Sequence, residues 1–582
     1  MAIATPGLFR RCAVTGLEVD RSAEKLIKFH AVTAVLFLAF GGFLALCIAL
    51  TRWEAVHLLS ASRFYEFVSA HGMVMLIFWI IFFEMAGLIF GSTILLSTKM
   101  LVPKLGWAVY GMMLGGSLVA TWMMITGRAV VMFTSYPPLK APALYYAAVL
   151  VFAVGAILGC VHFFINIVGA RLRGDVTSLP LFSFALAAAA IIALWSLISG
   201  AAALIPAFLW AAGLIPSVDP GVYRLLYWGL GHGAQQINLA AMVAIWYGLA
   251  SLTTGAKPLN EGLSRFAIVL YIFFINMGSI HHLLADPGLT PWFRNINTSY
   301  MMYLAVLGSL IHGFSIPASI ELGLREQGFR KGLFGWLRRA PWGEPGFAAL
   351  AVSLFLFGVM GGISGVIIGG PQVNLIMHNT LLSPSHFHMT VVTGTTIAFM
   401  GLSYYLVPLI FQRELVLRGF ARWQPYIYGA GMVIWAAGMG LAGHWGVPRR
   451  HWDITFSSSV FPLKSDIFEN RTIDVFLALL GIGGILAVIG GAMFVAVIVG
   501  TVFTGKRSAT PYLGKIMADT FAPVPVVSGA SGEDEATVEK HKEHEGFETP
   551  GALVLALIYL ALFVGLYGFS WFELSKLPWG VH

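Results

Sequence analysis

The sequence predicts an all-α integral membrane protein of thirteen transmembrane helices, and three observations predict it. Of its 582 residues, 58% are hydrophobic and only 11% are charged, against roughly 25% charged in soluble globular chains. Thirteen apolar runs are each long enough to cross a bilayer core of ~30 Å, which takes ~20 helical residues. The basic residues are dense in every second connection and sparse in those between. Such a composition excludes a soluble enzyme, a disordered chain and a nucleic-acid-binding module. The net charge of +8 belongs to the loops that hold the topology.

The runs lie near 29–50, 66–96, 104–126, 142–170, 181–213, 222–252, 263–284, 297–322, 345–369, 379–411, 423–446, 473–503 and 549–572. Backbone polar groups must find partners inside lipid, so runs of this length are helices. The segment before the first run is polar and basic, without a cleavable signal pattern. With the N-terminus inside, the inner connections carry most of the basic residues, among them Arg10, Arg11, Arg171, Arg173, Arg338, Arg339, Arg418 and Arg422. An odd number of spans then puts the C-terminus outside. The expected organisation is a cytoplasmic segment 1–28, a twelve-helix core 29–503, a polar cytoplasmic loop 504–548, and a thirteenth helix with an outer C-terminus, 549–582. Cys12, Cys47 and Cys160 form no CxxC or CxxCH pattern, so neither a thiolate metal centre nor a covalently attached c-type haem is expected.

Histidine inside a membrane helix is costly and tends to be functional. His71 lies near the outer start of the second run, His232 in the sixth, His281 and His282 at the end of the seventh, and His386 and His388 near the start of the tenth. At 1.5 Å per residue, all six fall ~5–15 Å below the outer face. Four helices therefore bring six imidazoles to one layer, which points to a buried metal or haem cluster. His386 and His388, two residues apart, face opposite sides of their helix, about 200° from one another. They can each hold a different haem, one on either side. His281 and His282 at a frayed helix end can share one ion, and His232 completes a three-imidazole site suited to copper or another first-row metal.

These residues resemble the catalytic subunit I of the haem–copper oxidase superfamily. His378–His388 is similar to the family's tenth-helix signature ending in His-Phe-His, His281-His282 to its copper-ligand pair, and Gly231-His232 to its third copper ligand. Ala70-His71-Gly72 is similar to its second-helix haem ligand, and Arg449-Arg450 to its propionate-binding pair. Thirteen helices, Tyr136–Leu139 and His281–Gly288 resemble the B-type branch. The resemblance implies a haem–copper oxidase subunit I-like bundle. His71 and His388 would be axial ligands of a low-spin haem, expected to be haem b. His386 would be the axial ligand of a high-spin haem, and His232, His281 and His282 would bind copper. Arg449, Arg450, His378 and Asn379 would lie by the propionates.

One position departs from the oxygen-reducing members. Those of the A and B types carry a tyrosine four residues after the sixth-helix copper ligand; here it is Gln236. The C-type branch takes its tyrosine from the seventh helix, where Ile275 stands; the nearest phenol there is Tyr271. Cleaving O–O in one step needs four electrons and a nearby proton, and an amide supplies neither. Coupling two NO molecules needs two electrons and two protons. The expectation is therefore a nitric oxide reductase, with Gln236, and with it Gln235 and Asn238, donating hydrogen bonds to the bound species. The alternatives are a B-type-like oxygen reductase and, more remotely, a non-catalytic haem-binding membrane protein. A neutral amide is a poorer iron ligand than a carboxylate, which favours copper over non-haem iron.

For protons, Ser309, His312, Ser315 and Ser319 share one face of the eighth helix, with Glu321 closing the stripe. By position they are similar to the B-type proton channel, to which Tyr247 is added; Glu84 is a second candidate acid. The resemblance further implies a partner subunit with a dicopper or c-type haem domain. It implies an outer-side electron donor such as cytochrome c or a copper protein, and a bacterial or archaeal cytoplasmic membrane.

Overall fold

A computed structural model of the chain describes residues 8–275, 278–453, 471–513 and 548–576. A short antiparallel hairpin, β1 (Phe9–Arg11) and β2 (Glu18–Asp20), precedes the bundle. Then follow α1 (Arg21–Arg52), α2 (Ala61–Ile94), α3 (Pro103–Ile125), α4 (Ala143–Leu172), α5 (Leu181–Ala211) and α6 (Pro220–Thr254). Helix α7 (Glu261–Leu270) runs on into a π-helical turn, Tyr271–Ile275. The rest are α8 (Pro291–Glu326), α9 (Pro345–Gly369), α10 (Leu382–Phe411), α11 (Arg418–His444), α12 (Arg471–Thr504) and α13 (Pro550–Ser575). Every run expected from the sequence corresponds to one of these helices. Among the described residues, twelve are long and apolar enough to cross a membrane. The difference from thirteen is α7, whose described helix is short and is followed at the histidine pair by a 3₁₀ turn, Ser279–Leu283. Most of the polar loop, residues 514–547, lies outside the described residues, as does the C-terminal 577–582.

Local chemistry sets the helix starts. The Asp20 side chain accepts the N–H groups of Ser22 and Ala23 at 2.8 and 2.9 Å and caps α1. Asn260 and Thr290 cap α7 and α8 in the same way. Proline opens α3, α6, α8, α9 and α13, where its missing N–H would have had no partner.

The connections gather at two opposite ends. At one end Arg10 pairs with Glu24 at 2.8 Å and donates to the Leu409 carbonyl, and Arg413 bridges to Arg507. At the other, Arg52 donates to the Arg449 carbonyl at 2.7 Å, Trp452 to that of Leu59, and the Arg449 N–H to that of Asn379. All six histidines of the expected layer lie toward this second end. Several helices contain π-helical turns, in which the extra residue shifts the register of the side chains that follow. Two of these touch the layer directly, Val74–Phe78 just after His71 and His388–Thr395 starting on His388 itself.

Glycine lets α11 and α12 approach backbone to backbone. A Cβ on Gly438 would sit 2.4 Å from the Phe476 carbonyl oxygen, and one on Gly483 2.2 Å from the Trp435 nitrogen. The last helix is held differently. Glu321 of α8 accepts the N–H groups of Gly551 and Ala552 at 3.1 and 2.6 Å, at the positive end of α13. Arg325 pairs with the same carboxylate at 2.6 Å. Gly438→Val is expected to force α11 and α12 apart, at a cost of about 1–3 kcal/mol or more. A thermal unfolding midpoint in detergent equal to that of the unmodified chain would contradict this contact.

Candidate functional site

Two cavities flank the start of α10. The larger, of about 1120 Å³, is lined by His232, Gln236, His281, His282, His386 and His378 among others. The smaller, of about 620 Å³, is lined by His71 and His388. Both are of the size that holds a cofactor. Phe387, Arg449 and Arg450 border both, so α10 is the wall between them. The two-residue spacing of His386 and His388 thus sends one ring to each side, as the helical angle requires.

In the smaller cavity the His71 and His388 rings face one another, nearly parallel at 12°, with centroids 6.4 Å apart. Two metal–nitrogen bonds of about 2 Å, plus roughly 1 Å from each nitrogen to its ring centre, add to about 6 Å. One metal fits between them. Each ring is fixed from behind: His71 Nδ1 donates to the Gly41 carbonyl at 3.1 Å and His388 Nδ1 to that of Pro384 at 2.7 Å. That leaves each Nε2 unprotonated, with a lone pair free for a ligand. Trp435 of α11 supports His388 at 4.1 Å.

In the larger cavity His386 Nδ1 donates to the Gly361 carbonyl at 3.0 Å and contacts Ser364 Oγ at 3.1 Å. Gly365 makes room for this ring, because a Cβ there would lie 2.6 Å from His386 Cε1. Across the space stand His232, His281 and His282, whose ligand atoms all lie within 4.8 Å of one another. His281 Nδ1 donates to the Gly278 carbonyl at 2.6 Å. His282 stacks on Trp228 at 3.9 Å and 4° between planes, and Trp228 in turn donates to Tyr136 at 2.5 Å. His232 Nδ1 points at His282 Nε2, 2.9 Å away. Helix α6 breaks at Gly231-His232-Gly233, which turns this ring into the cavity. Gln236, one turn on, contacts His232 Nε2 with its amide. No carboxylate is among the residues lining the cavity. Three neutral imidazoles without an acid suit copper better than a carboxylate-preferring ion.

The charge at this end fits anionic groups. Arg449 and Arg450 are half-buried and Arg52 is buried. None of the three has a carboxylate partner among the described residues. Burial, with Arg450 beside it, pulls Arg449 down to about 10, and burial also lowers Arg450. Cations this far withdrawn from solvent without anions are costly, and the pair is placed to accept carboxylate groups of a ligand. His378 lines the larger cavity and donates from Nδ1 to Asn374 Oδ1 at 3.2 Å. The expected role for Asn379 changes: its side chain is exposed, and it contributes its backbone carbonyl to the Arg449 N–H. Sequence reasoning missed Arg52, Asn374 and Trp228. Arg52, an arginine at the histidine-layer end of the first helix, was the readable signal; the other two show only in three dimensions.

The expected proton-path residues are partly joined. Tyr247 shares hydrogen bonds with Ser264 at 2.9 Å and with His312 Nδ1 at 3.1 Å. Tyr271 shares one with Ser309 at 3.0 Å, its ring 5.7 Å from that of His312. Tyr271 and Ser309 line the larger cavity. Ser319 instead bonds the Ser315 carbonyl and the Leu259 N–H, while Glu321 anchors α13. Gln235 faces the cavity and Asn238 does not, each with a polar side-chain atom unpartnered. The side chain of Ile275 lies outside what the structure describes.

Comparison with known proteins gives the family and the fold. The family model described as cytochrome c and quinol oxidase polypeptide I matches residues 25–486. Cytochrome c oxidase subunit 1 of Thermus thermophilus is 30% identical over 397 residues, 66% of this chain and 69% of that one. Its counterpart in Synechocystis sp. is 24% identical over 405 residues, 65% of this chain and 68% of that one. A cryo-EM structure of a heme-copper terminal oxidase dimer shares the fold, with a TM-score of 0.78 at 24% identity, over 94% of this chain and 93% of that chain.

The two cavities separate two ligand sets, so a haem expected in each should be lost independently of the other. His386→Ala should remove the high-spin haem signal and leave the low-spin one, and His71→Ala the reverse, by optical and electron paramagnetic resonance spectra of the purified chain. Both signals intact in either variant would contradict the assignment.

Proposed function

The chain belongs to the cytochrome c and quinol oxidase polypeptide I family, the catalytic subunits of haem–copper oxidases, and we propose that, unlike the relatives named for oxidase activity, it reduces nitric oxide: 2 NO + 2 e⁻ + 2 H⁺ → N2O + H2O. The observation that carries this reading is Gln236, an amide against His232 where oxygen-reducing relatives of the A and B types place a phenol. When bound, a low-spin haem supplies electrons, and a high-spin haem with copper supplies the paired sites at which the substrate is reduced. His71 and His388 would hold the first, His386 the second, and His232, His281 and His282 the copper.

The chain's own residues orient this site. A histidine that gives Nδ1 to a metal keeps its proton on Nε2. The amide oxygen of Gln236 is the atom that accepts that proton's hydrogen bond, since oxygen and nitrogen of an amide occupy equivalent positions. The amide N–H₂ then turns to the cavity, where it donates to a developing negative charge on the substrate. The absence of a carboxylate from the cavity wall favours copper over non-haem iron. Protons reach the cavity along Ser264, Tyr247, His312, Tyr271 and Ser309, with Ser315 and Ser319 lower on the same helix. Glu321 acts at the far end chiefly as the anchor of α13. His378 flanks the propionates with Arg449, Arg450 and Arg52, and Asn379 holds Arg449 through its backbone carbonyl.

The assembly follows from the same reading. Segment 29–503 is the haem-bearing core, 504–548 a cytoplasmic loop, and 549–582 an added helix. The N-terminus faces the cytoplasm of a bacterial or archaeal cell, and the C-terminus lies outside. A second subunit with a dicopper or c-type haem domain delivers electrons from an outer donor such as cytochrome c or a copper protein, as the chain has no CxxCH of its own.

A second reading, oxygen reduction, is favoured by one observation besides the relatives' names: Tyr271 lines the same cavity, hydrogen-bonded to Ser309. Turnover of the purified complex on NO and on O2 with a reduced donor separates the two. N2O formation faster than O2 uptake is expected, falling by about 10²-fold in Gln236→Leu, as for loss of one oriented donor. Fast O2 uptake with negligible N2O, abolished by Tyr271→Phe, would replace nitric oxide with oxygen as the substrate.

A further inference from the structure

Away from α8, on the α1–α2–α4 side of the bundle, lie two small voids. One, of about 20 Å³, is bordered by Glu84 of α2, Cys160 of α4, and Ile237 and Ala241 of α6. The other, of about 10 Å³, is bordered by His30 of α1 and by His162 and Asn166 of α4. Met85 and Leu88 line both, so a single turn of α2 separates them. Voids of ~10–15 Å³ hold a single water when polar partners surround them.

The partners are there, and they are unused. Both ring nitrogens of His30 and the Nδ2 of Asn166 have no hydrogen-bond partner, on residues that are 0% and 1% exposed. Folded proteins leave few such atoms unpaired, so two such residues, His30 and Asn166, bordering one water-sized void mark a water site. His162 faces the same void, though its Nε2 already donates to the Leu101 carbonyl at 2.7 Å. Glu84 is buried, with Oε1 unpartnered and no ion pair among the described residues. The groups bordering its void are apolar except for the Cys160 thiol. An ionised carboxylate is strongly disfavoured there, so the pocket accommodates the neutral acid, which has a proton to give. Ile237 follows Gln236 directly. The Glu84 void therefore backs onto the turn of α6 whose glutamines face the larger cavity.

We propose that Glu84 is a proton-holding site filled through water in the His30–Asn166 pocket, on a route separate from the Tyr247–His312–Tyr271 chain. Protons would pass from the pocket water to Glu84 and from Glu84 toward α6. The proposal rests on the redox reading only in that the reaction consumes protons.

The test is infrared spectroscopy of the full-length purified protein on transfer from H₂O to D₂O. The reading predicts a protonated carboxyl band that disappears in Glu84→Gln, moves in Glu84→Asp, and exchanges within minutes in the unmodified chain. His30→Phe and, as a second variant, Asn166→Leu should each slow that exchange about tenfold or more, because a sealed group exchanges only through rare opening. A Glu84 band that stays unexchanged for hours, or no band lost in Glu84→Gln, would overturn the proposal. So would exchange that is equally fast in both pocket variants. The readout needs no haem, so it stands apart from failure of the nitric oxide reading.

Discussion

A backbone carbonyl behind the ring is the interaction on which this site depends. The carbonyls of Gly41, Gly278, Gly361 and Pro384 accept hydrogen bonds from the Nδ1 of His71, His281, His386 and His388 respectively. The bond fixes the tautomer and the angle of each ring, and it leaves the opposite nitrogen unprotonated toward a cavity. Four carbonyls from four segments therefore aim four lone pairs. Two of those carbonyls belong to glycines on α1 and α9, where the absence of a side chain also permits close packing. The chemistry of the site is thus held by ordinary backbone groups, well before any cofactor binds.

His232 and His282 lack such a carbonyl: His282 stacks on Trp228, and His232 is where the choice of reaction lies. Its partner is a side chain, Gln236, one turn further along α6. A phenol in that place could deliver an electron and a proton; an amide can only hold the ring and present a donor. The cavity around it is apolar over most of its wall and reaches α13, which suits a small uncharged substrate in either reading. The relatives that match are named for oxygen chemistry, so the distinction rests on this side chain and on the phenol of Tyr271 nearby.

Much of the architecture was legible from the sequence, because lipid imposes length on every span and charge on every second loop. The histidine layer was legible for the same reason: depth follows from position within a run, and facing follows from spacing, as His386 and His388 illustrate. Other features had no local signal. The break of α6 at His232 and the π-helical turns come from tertiary packing. The stacking of Trp228 on His282 joins residues far apart in the chain. Glu321 sits on the polar stripe expected for protons, yet its carboxylate meets two N–H groups of α13, more than two hundred residues away in sequence. Asn379 stands next to His378 in sequence but turns its side chain out, leaving only its carbonyl to the arginines.

Two cavities divided by one helix, each with its own ligand set, define the site. Iron, copper and haem analysis of the purified chain, with the spin states counted by electron paramagnetic resonance, tests this. Two haems and one copper per chain are expected, with half of the haem low-spin. A single haem, or two haems without copper, would contradict this.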